Sequence, residues 1–506
     1  MKRNYIYQLV LIAFMAISSS CSLDKEPLDT YSDVTEGVTD EEETVVFKDR
    51  AAVEGHLQTI YNQMRDRQEH WYMDLLLIAE SHSDNAYAGT TGAEVMPFEN
   101  NSIEGSNSVM ERDWNRYMED IARANLLIVN IDSVEDNTLT NSVRNRMKAE
   151  AKIFRAMVMF DMVRLWGDIP VVTTIAGDIT EETIEDVYED YFPVQKTEKE
   201  AYEQIEKDLL EAISDAPENL TTDKTKFSKS VARALLVKLY AEKPLRNYAK
   251  VIQYADELAA DGFGLEADYR DLFGVVEGSA DAKKRNSKES ILEAQFFVGN
   301  GNWVTWMFGR DLSNYNSNFT WAKWITPSRD LIAAFTREAD QIRYTESIVF
   351  YEATWSNYYP SNNYPFMYKT RSAFSNIIKM RYADILLLKA EALIMKESPD
   401  LAAAADIIDQ VRERVQLPKL ASGTKANKEN MLEAYLKERR LELAFEGERW
   451  FDLVRLNKVE QFMNAVYAKD SGRKTQVYPF NENSYRLPIP QAIIDQNPNI
   501  VQNLGY

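Results

Sequence analysis

The chain has 506 residues, 45% hydrophobic and 27% charged, which is enough for a large core and for more than one domain. Its formal net charge of −22 argues against nucleic acid as a partner, because an acidic body repels phosphate. A single cysteine, Cys21, excludes an internal disulfide, and the 3 histidines, His56, His70 and His82, fall in no zinc-binding spacing.

Residues 1–20 have the layout of a secretory signal peptide. Lys2 and Arg3 give a positive start, and an apolar run from Leu9 to Ile17 is too short to span a bilayer. Ser18, Ser19 and Ser20 follow, and Cys21 comes next, in the position of the lipid-modified cysteine of a lipoprotein. Lipid chains there would hold the protein to a membrane, at ~0.8 kcal/mol per buried CH₂. Residues 21–46 read as an acidic tether, and no later segment is apolar enough to span a membrane.

Helical spacing begins at 49–66, through Ala52, Leu57, Ile60 and Tyr61. Residues 71–78 are an apolar run interrupted by Asp74, 80–89 mix polar and aromatic groups in a loop, and 90–108 read as irregular. Longer helices are predicted over 109–131 and 143–166, the second stopped by Gly167 and Pro170. Helices over 200–213, 229–241 and 246–260 follow. Gly262, Gly264 and Ala267 match GxGxxA, but they follow a helix rather than a strand, so the dinucleotide reading fails. No phosphate loop or nucleophile elbow is present.

Residues 269–374 differ in composition. Trp303, Trp306, Trp321, Trp324 and Trp355 lie there among many Tyr, Gly, Asn and Ser, with strand-like runs only at 291–298 and 347–351. This region reads as long loops with a little sheet, and aromatics on loops often contact ligands. Helical order returns at 377–396 and 401–415. The 143–166 helix, the 229–260 pair and the 377–415 pair resemble tetratricopeptide-type units, although their spacing is irregular.

The densest stretch is 438–455, ERRLELAFEGERWFDLVR. Leu432, Leu436, Leu443, Trp450 and Val454 form an apolar stripe through it. Glu446, Arg449, Asp452 and Arg455 alternate in sign at steps of three, which suits a ladder of ion pairs. Glu438, Glu442 and Glu446 form a column at i, i+4 and i+8. Such a column holds a metal, serves acid–base chemistry or locks helices together; the flanking arginines favour the last. Gly447 marks either a break between two helices or the close approach of a neighbour. Trp166 and Trp450 are assigned to packing. The proline-rich end, LPIP and then NPNIVQNLGY, reads as extended chain laid across the scaffold.

Taken together and in order, ERRLELAFEGERWFDLVR, RLWGDIPVV, MRYADILLLKAEAL and LPIP…NPNIVQNLGY resemble the SusD/RagB family of Bacteroidetes outer-membrane lipoproteins. Cys21 and the acidic segment after it fit the same family. One departure is Ala492 and Ile493, where members often carry an acidic residue; it touches C-terminal packing only.

The resemblance implies a mainly α fold: a tetratricopeptide-like helical-pair scaffold, a loop-rich irregular region and little β. It implies an N-terminal region over 47–265 and a C-terminal region over 266–506, the latter split into a ligand-facing insert at 266–374 and helical scaffold with tail at 375–506. It also implies a lipid-anchored protein on the outer-membrane surface, partnered with a SusC-like TonB-dependent transporter. Such a protein captures a nutrient, usually a glycan, and hands it on without catalysis, cofactor or metal. By region, the ligand contacts would be Asp84, Asn85, Tyr87, Trp303, Trp306, Tyr315, Trp321 and Trp324. Aromatic rings cover the apolar faces of sugars, and Asn, Asp and Arg bond the hydroxyls. Two alternatives stay open: peptide cargo in the same role, and a secreted glycoside hydrolase with a carboxylate pair ~5–9 Å apart.

Overall fold

The computed structural model describes residues 46–506, apart from 90–91, 181, 220, 311–322, 354 and 356–357. The predicted signal peptide, Cys21, Tyr315 and Trp321 lie outside the described residues. Residues Phe47–Tyr506 form one unit.

Local capping chemistry starts the helices. α1 (Arg50–Asp66) begins where the Asp49 carboxylate accepts the Ala52 N–H at 2.9 Å. α2 (Ser108–Asn130) is capped by Asn107 and α3 (Asn141–Trp166) by Thr140. α4 (Glu198–Ile213) opens with a reciprocal box between Thr197 and Glu200. α5 (Lys229–Ala241) and α6 (Tyr248–Ala260) follow. Each of α2 to α6 packs on its predecessor, so the N-terminal helices form a continuous array.

The loop-rich stretch comes next. β1 (Ala86–Ala88) lies upstream, and β2 (Ser290–Ala294), β3 (Ile325–Pro327), α7 (Arg329–Glu338), α8 (Gln341–Ser347), β4 (Ile348–Tyr351) and β5 (Tyr364–Met367) lie within the stretch. β1 pairs with β3, and β4 with β5, both antiparallel. The helices α7 and α8 were not expected from the sequence; Ser328 and Asp340 cap them through side-chain bonds to Leu331 and Arg343 N–H.

β6 (Ile377–Arg381) then pairs antiparallel with β2 and leads directly into α9 (Tyr382–Met395). The predicted helix over 377–396 is thereby corrected: its first turn is a strand. Ile377 and Ile378 are β-branched and Arg381 has extended backbone, φ −134 and ψ 155, so the helix starts only after it. α10 (Leu401–Arg414) and α11 (Lys428–Glu442) both pack on α9, and α9 packs on α6. The scaffold therefore runs from the N-terminal array into the C-terminal helices. One apolar core follows it from Phe47 to Ile500, with Trp71, Trp166 and Trp450 fully buried.

The densest stretch proves to be two helices. α11 ends at Glu442, Phe445 and Gly447 take φ of 63° and 82°, and α12 (Arg449–Arg455) follows. A Cβ at Gly447 would meet nothing within 4 Å, so the backbone conformation rather than crowding selects glycine. The break reading holds and the close-approach reading does not.

The carboxylate column is a buried ionic network. Arg343 reaches Glu438 at 2.7 Å and Glu442 at 3.1 Å. Arg381 reaches Glu442 at 2.6 Å, Glu289 at 2.8 Å and Glu446. Arg414 joins Glu289 at 2.7 Å and also holds Glu442, and Arg412 meets Glu438 at 2.9 Å. Burial alone would push the Glu442 carboxyl up, but Arg414, Arg381 and Arg343 hold it well below the usual range. A second cluster ties Arg439 and Arg455 to Asp452, with Asp384 and Glu391 completing it. The column therefore locks helices together, whereas the expected ladder is corrected: only its Asp452–Arg455 rung forms, Glu446 meeting Lys369 and Arg381 across the helix break and Arg449 meeting Asp84.

The C-terminal tail lies across the scaffold as expected. The Leu487 N–H donates to Leu165 O, the Trp166 indole N–H to Pro488 O, and the Asn503 amide to both Trp166 O and Leu487 O.

Candidate functional site

The loop at 80–89 leaves a helical segment with two π turns, Glu69–Met73 and Leu77–Ser81. Three of the residues predicted to touch ligand, Asp84, Asn85 and Tyr87, sit on this loop, and all three are fully buried. Asp84 is gripped by the Arg449 fork at 2.7 and 2.8 Å and by Arg440 at 3.2 Å. The Asn85 amide accepts from Arg440 Nε at 2.8 Å and donates to Glu80 at 2.8 Å. Tyr87 stacks on Tyr358 at 4.7 Å, donates to Asp470 at 2.6 Å and accepts from the Arg329 N–H at 3.0 Å. These side chains have spent their polar groups on the protein itself and present no surface. The expectation that they contact ligand is corrected: they fasten the loop to α11 and α12.

Glu80 completes that fastening. Its two oxygens accept from the Gly447 N–H at 3.0 Å and from Asn85, and burial pushes its carboxyl up to about 7. Between the ordinary carboxylate range and about 7, the folded chain holds a proton that the unfolded chain has lost. Stability from this group therefore falls as pH rises through that window, and the loss is complete above it. Thermal melts across the window are expected to show this slope in the wild type and not in Glu80→Gln. Equal slopes in the two proteins would contradict the assignment.

The surface itself is built by 295–310. Phe297 and Asn300 exchange backbone bonds around a tight turn whose Gly299 has φ 92°, which leaves Phe297 and Val298 exposed at its tip. The Arg285 guanidinium lies 4.2 Å from the Phe297 ring centroid. Asn302, fully buried, then pins the chain: its amide donates to Ser372 O and Ser375 O and its oxygen accepts the Thr305 N–H. One helical turn, Val304–Met307, follows from this anchor.

Spacing on that turn sorts the side chains. Val304, Thr305 and Phe308 point inward and are fully buried. Trp303 and Trp306, three apart, face out at 60% and 37% exposure. Both are fixed at the backbone: Trp303 N–H donates to Gln68 at 2.7 Å, and Trp306 O accepts from Lys323 at 2.7 Å. Indoles left exposed on an anchored turn forgo the favourable burial open to an apolar ring.

Trp324 stands beside this turn but serves differently. It is half-buried and meets Phe308 edge-on at 6.2 Å, with its N–H bonded to Met307 O and its carbonyl to the Gly89 N–H. The structure thus brings Trp303, Trp306 and Trp324 together, with the 80–89 loop buttressing them through the β1–β3 pair. Sequence reasoning missed Phe297 and Val298; the available signal was an apolar pair before Gly299 at the end of a strand-like run. Among the described residues no cluster of three His, Cys, Asp or Glu is placed to hold a metal ion, and no helix is long and apolar enough to cross a membrane.

Fold and surface together define the class: a helical-pair scaffold that displays aromatic side chains from an inserted loop region. A family model described as SusD family matches residues 240–506, and one described as starch-binding associating with outer membrane matches 29–241. The chain belongs to the SusD family. It is 26% identical to SusD-like protein P38 of Formosa agariphila, over 100% of this chain and 99% of that one. A SusD-like protein of Bacteroides ovatus is 21% identical, over 88% of this chain and 81% of its own. Among solved structures, a laminarin-binding SusD-like protein matches with a TM-score of 0.67 and 24% identity, over 91% of this chain and 100% of that one. Surface glycan-binding protein A from Bacteroides fluxus matches with a TM-score of 0.69 and 19% identity, over 90% and 99%. These two likenesses show the fold.

Proposed function

We propose that the protein is a non-catalytic, cell-surface glycan-binding lipoprotein that hands an oligosaccharide to a SusC-like transporter in the outer membrane. The observation that carries the reading is the Trp303–Trp306 turn, which leaves Trp303 largely and Trp306 partly exposed on an anchored backbone. Flat indole faces suit the C–H faces of sugar rings. The binding named for two structural relatives, laminarin and surface glycan, supports the same class of ligand. Cys21 supplies the lipid anchor, and the transporter is the partner through which a bound glycan enters the cell.

Calorimetric titration with neutral oligosaccharides, β-glucans among them, tests the ligand class. Saturable binding without turnover is expected. Glu442→Gln is expected to keep the affinity of the wild type, because Glu442 is buried in the scaffold. Trp303→Ala is expected to lose it, and Trp321→Ala is expected to weaken it as well. Binding lost in Glu442→Gln and retained in the tryptophan variants would reverse the assignment. Tight binding of oligopeptides and not of sugars would move the cargo to peptides.

A further inference from the structure

A second concavity lies apart from the tryptophan turn. It is a groove of about 470 Å³, within the usual size of ligand sites. One wall is a single face of α7: Arg329, Ile332 and Arg337, at i, i+3 and i+8. The other wall is Phe350, Tyr359 and Asn363. The two arginines stand at the ends of this face, about 12 Å apart along the helix.

The charge of this groove departs from the rest of the protein. The chain carries −22, and its buried arginines Arg343, Arg381, Arg414, Arg439 and Arg449 all meet carboxylates. The groove has two guanidiniums and no carboxylate among its lining residues. Arg329 is held in place by aromatic and carbonyl groups, and the Asp470 carboxylate beyond the Tyr87 hydroxyl offsets only part of its charge. Arg329 lies 4.5 Å over the Tyr359 ring and donates to Tyr358 O and the Tyr87 hydroxyl. Arg337 is exposed, and among the described residues it has no ion-pair partner. In an acidic protein, two guanidiniums on a wall that carries no carboxylate create local positive potential that draws anions. Between the charges the groove offers an aromatic floor and the Asn363 carboxamide, which suit sugar rings and hydroxyls.

We propose that this groove binds an anionic saccharide segment, with Arg329 and Arg337 on its carboxylate or sulfate groups and the Tyr359 and Phe350 rings against its sugar faces. The inference rests on the glycan reading above and narrows it: part of the ligand is acidic.

The test is calorimetric titration of the wild type and of Arg337→Gln with four probes. These are an oligogalacturonide, the same oligomer fully methyl-esterified, a sulfated galactan oligosaccharide and a glutamate-rich peptide. The oligogalacturonide or the sulfated oligomer is expected to bind more tightly than the ester, and more weakly as salt is added. Whichever of the two binds identifies the anion. Arg337→Gln is expected to weaken the acidic sugar about tenfold and leave the ester unchanged, the size of one charge-assisted hydrogen bond. Its thermal melt should match the wild type, since Arg337 is exposed. Equal binding of acid and ester, indifference to Arg337→Gln, or preference for the acidic peptide overturns the proposal. If neutral glycans bind through Trp303 while acidic ones do not, this inference fails and the glycan reading stands. If no saccharide binds, both fail.

Discussion

Arg381→Met is expected to lower the unfolding free energy by about 3–5 kcal/mol, the usual cost of removing one partner from a buried ion pair. Arg381 ends β6, and α9 begins at the next residue. Its guanidinium is shared by Glu289, Glu442 and Glu446, so one side chain joins the start of β2 to the end of α11 and the break beyond it. Without it, three carboxylates face one another and, among the described residues, Arg343, Arg414 and Lys369 remain to offset them. Burial then dominates, and part of this charge must take up protons or admit water. Urea denaturation reads the loss directly as a lower midpoint. The double variant Arg381→Met/Glu442→Gln should recover part of it, because the uncompensated charge is removed too. The same network sets a pH dependence opposite in sign to that of Glu80. Glu442 is depressed in the folded state, so its contribution is present above the ordinary carboxylate range and is lost as pH falls through its folded value. A loss in Arg381→Met no larger than that of an exposed ion pair, under about 1 kcal/mol, would contradict this account.

Trp303→Ala/Trp306→Ala is expected to weaken glycan binding by about 2 kcal/mol or more, roughly thirtyfold, as for anchor residues at other interfaces. Stability should barely change. Trp303 is largely and Trp306 partly exposed, and the inward residues of the same turn, Val304, Thr305 and Phe308, keep the anchor intact. That separation is the useful feature of the experiment. Arg381→Met should cost stability and spare affinity in the folded fraction, whereas the tryptophan pair should cost affinity and spare stability. Calorimetry and thermal melts on both variants give the four values. Coupled losses in the tryptophan variant would mean that the indoles pack rather than recognise.

The scaffold was legible because long helices declare themselves by periodicity. The expected span 143–166 is Asn141–Trp166, and 229–241 is Lys229–Ala241. Short elements decided by partners were not legible. Ile377–Arg381 reads as the front of an apolar helix until β2 is placed beside it. The site shows the same division. Trp303 and Trp306 do stand at the surface, while Tyr358, Tyr364 and Phe366 of the same aromatic stretch are buried, a division that composition alone does not make. Asp84, Asn85 and Tyr87 were misplaced because their polar and aromatic mixture resembles a ligand loop, while their partners lie far along the chain at Arg440, Arg449 and Asp470. Gly447 illustrates the limit of sequence reading. Its letter announced a special position, and only the φ of 82° distinguished conformation from crowding.

The central claim is that recognition belongs to the exposed turn and not to the charged helices beneath it. A crystal structure with the neutral oligosaccharide that binds most tightly in solution tests this most directly. The account predicts sugar rings stacked on the Trp303 and Trp306 indoles, with Asp84 still in the Arg449 fork and Glu442 still between Arg381 and Arg414. Sugar bound away from both indoles, or in contact with an opened Asp84 or Glu442, would contradict it.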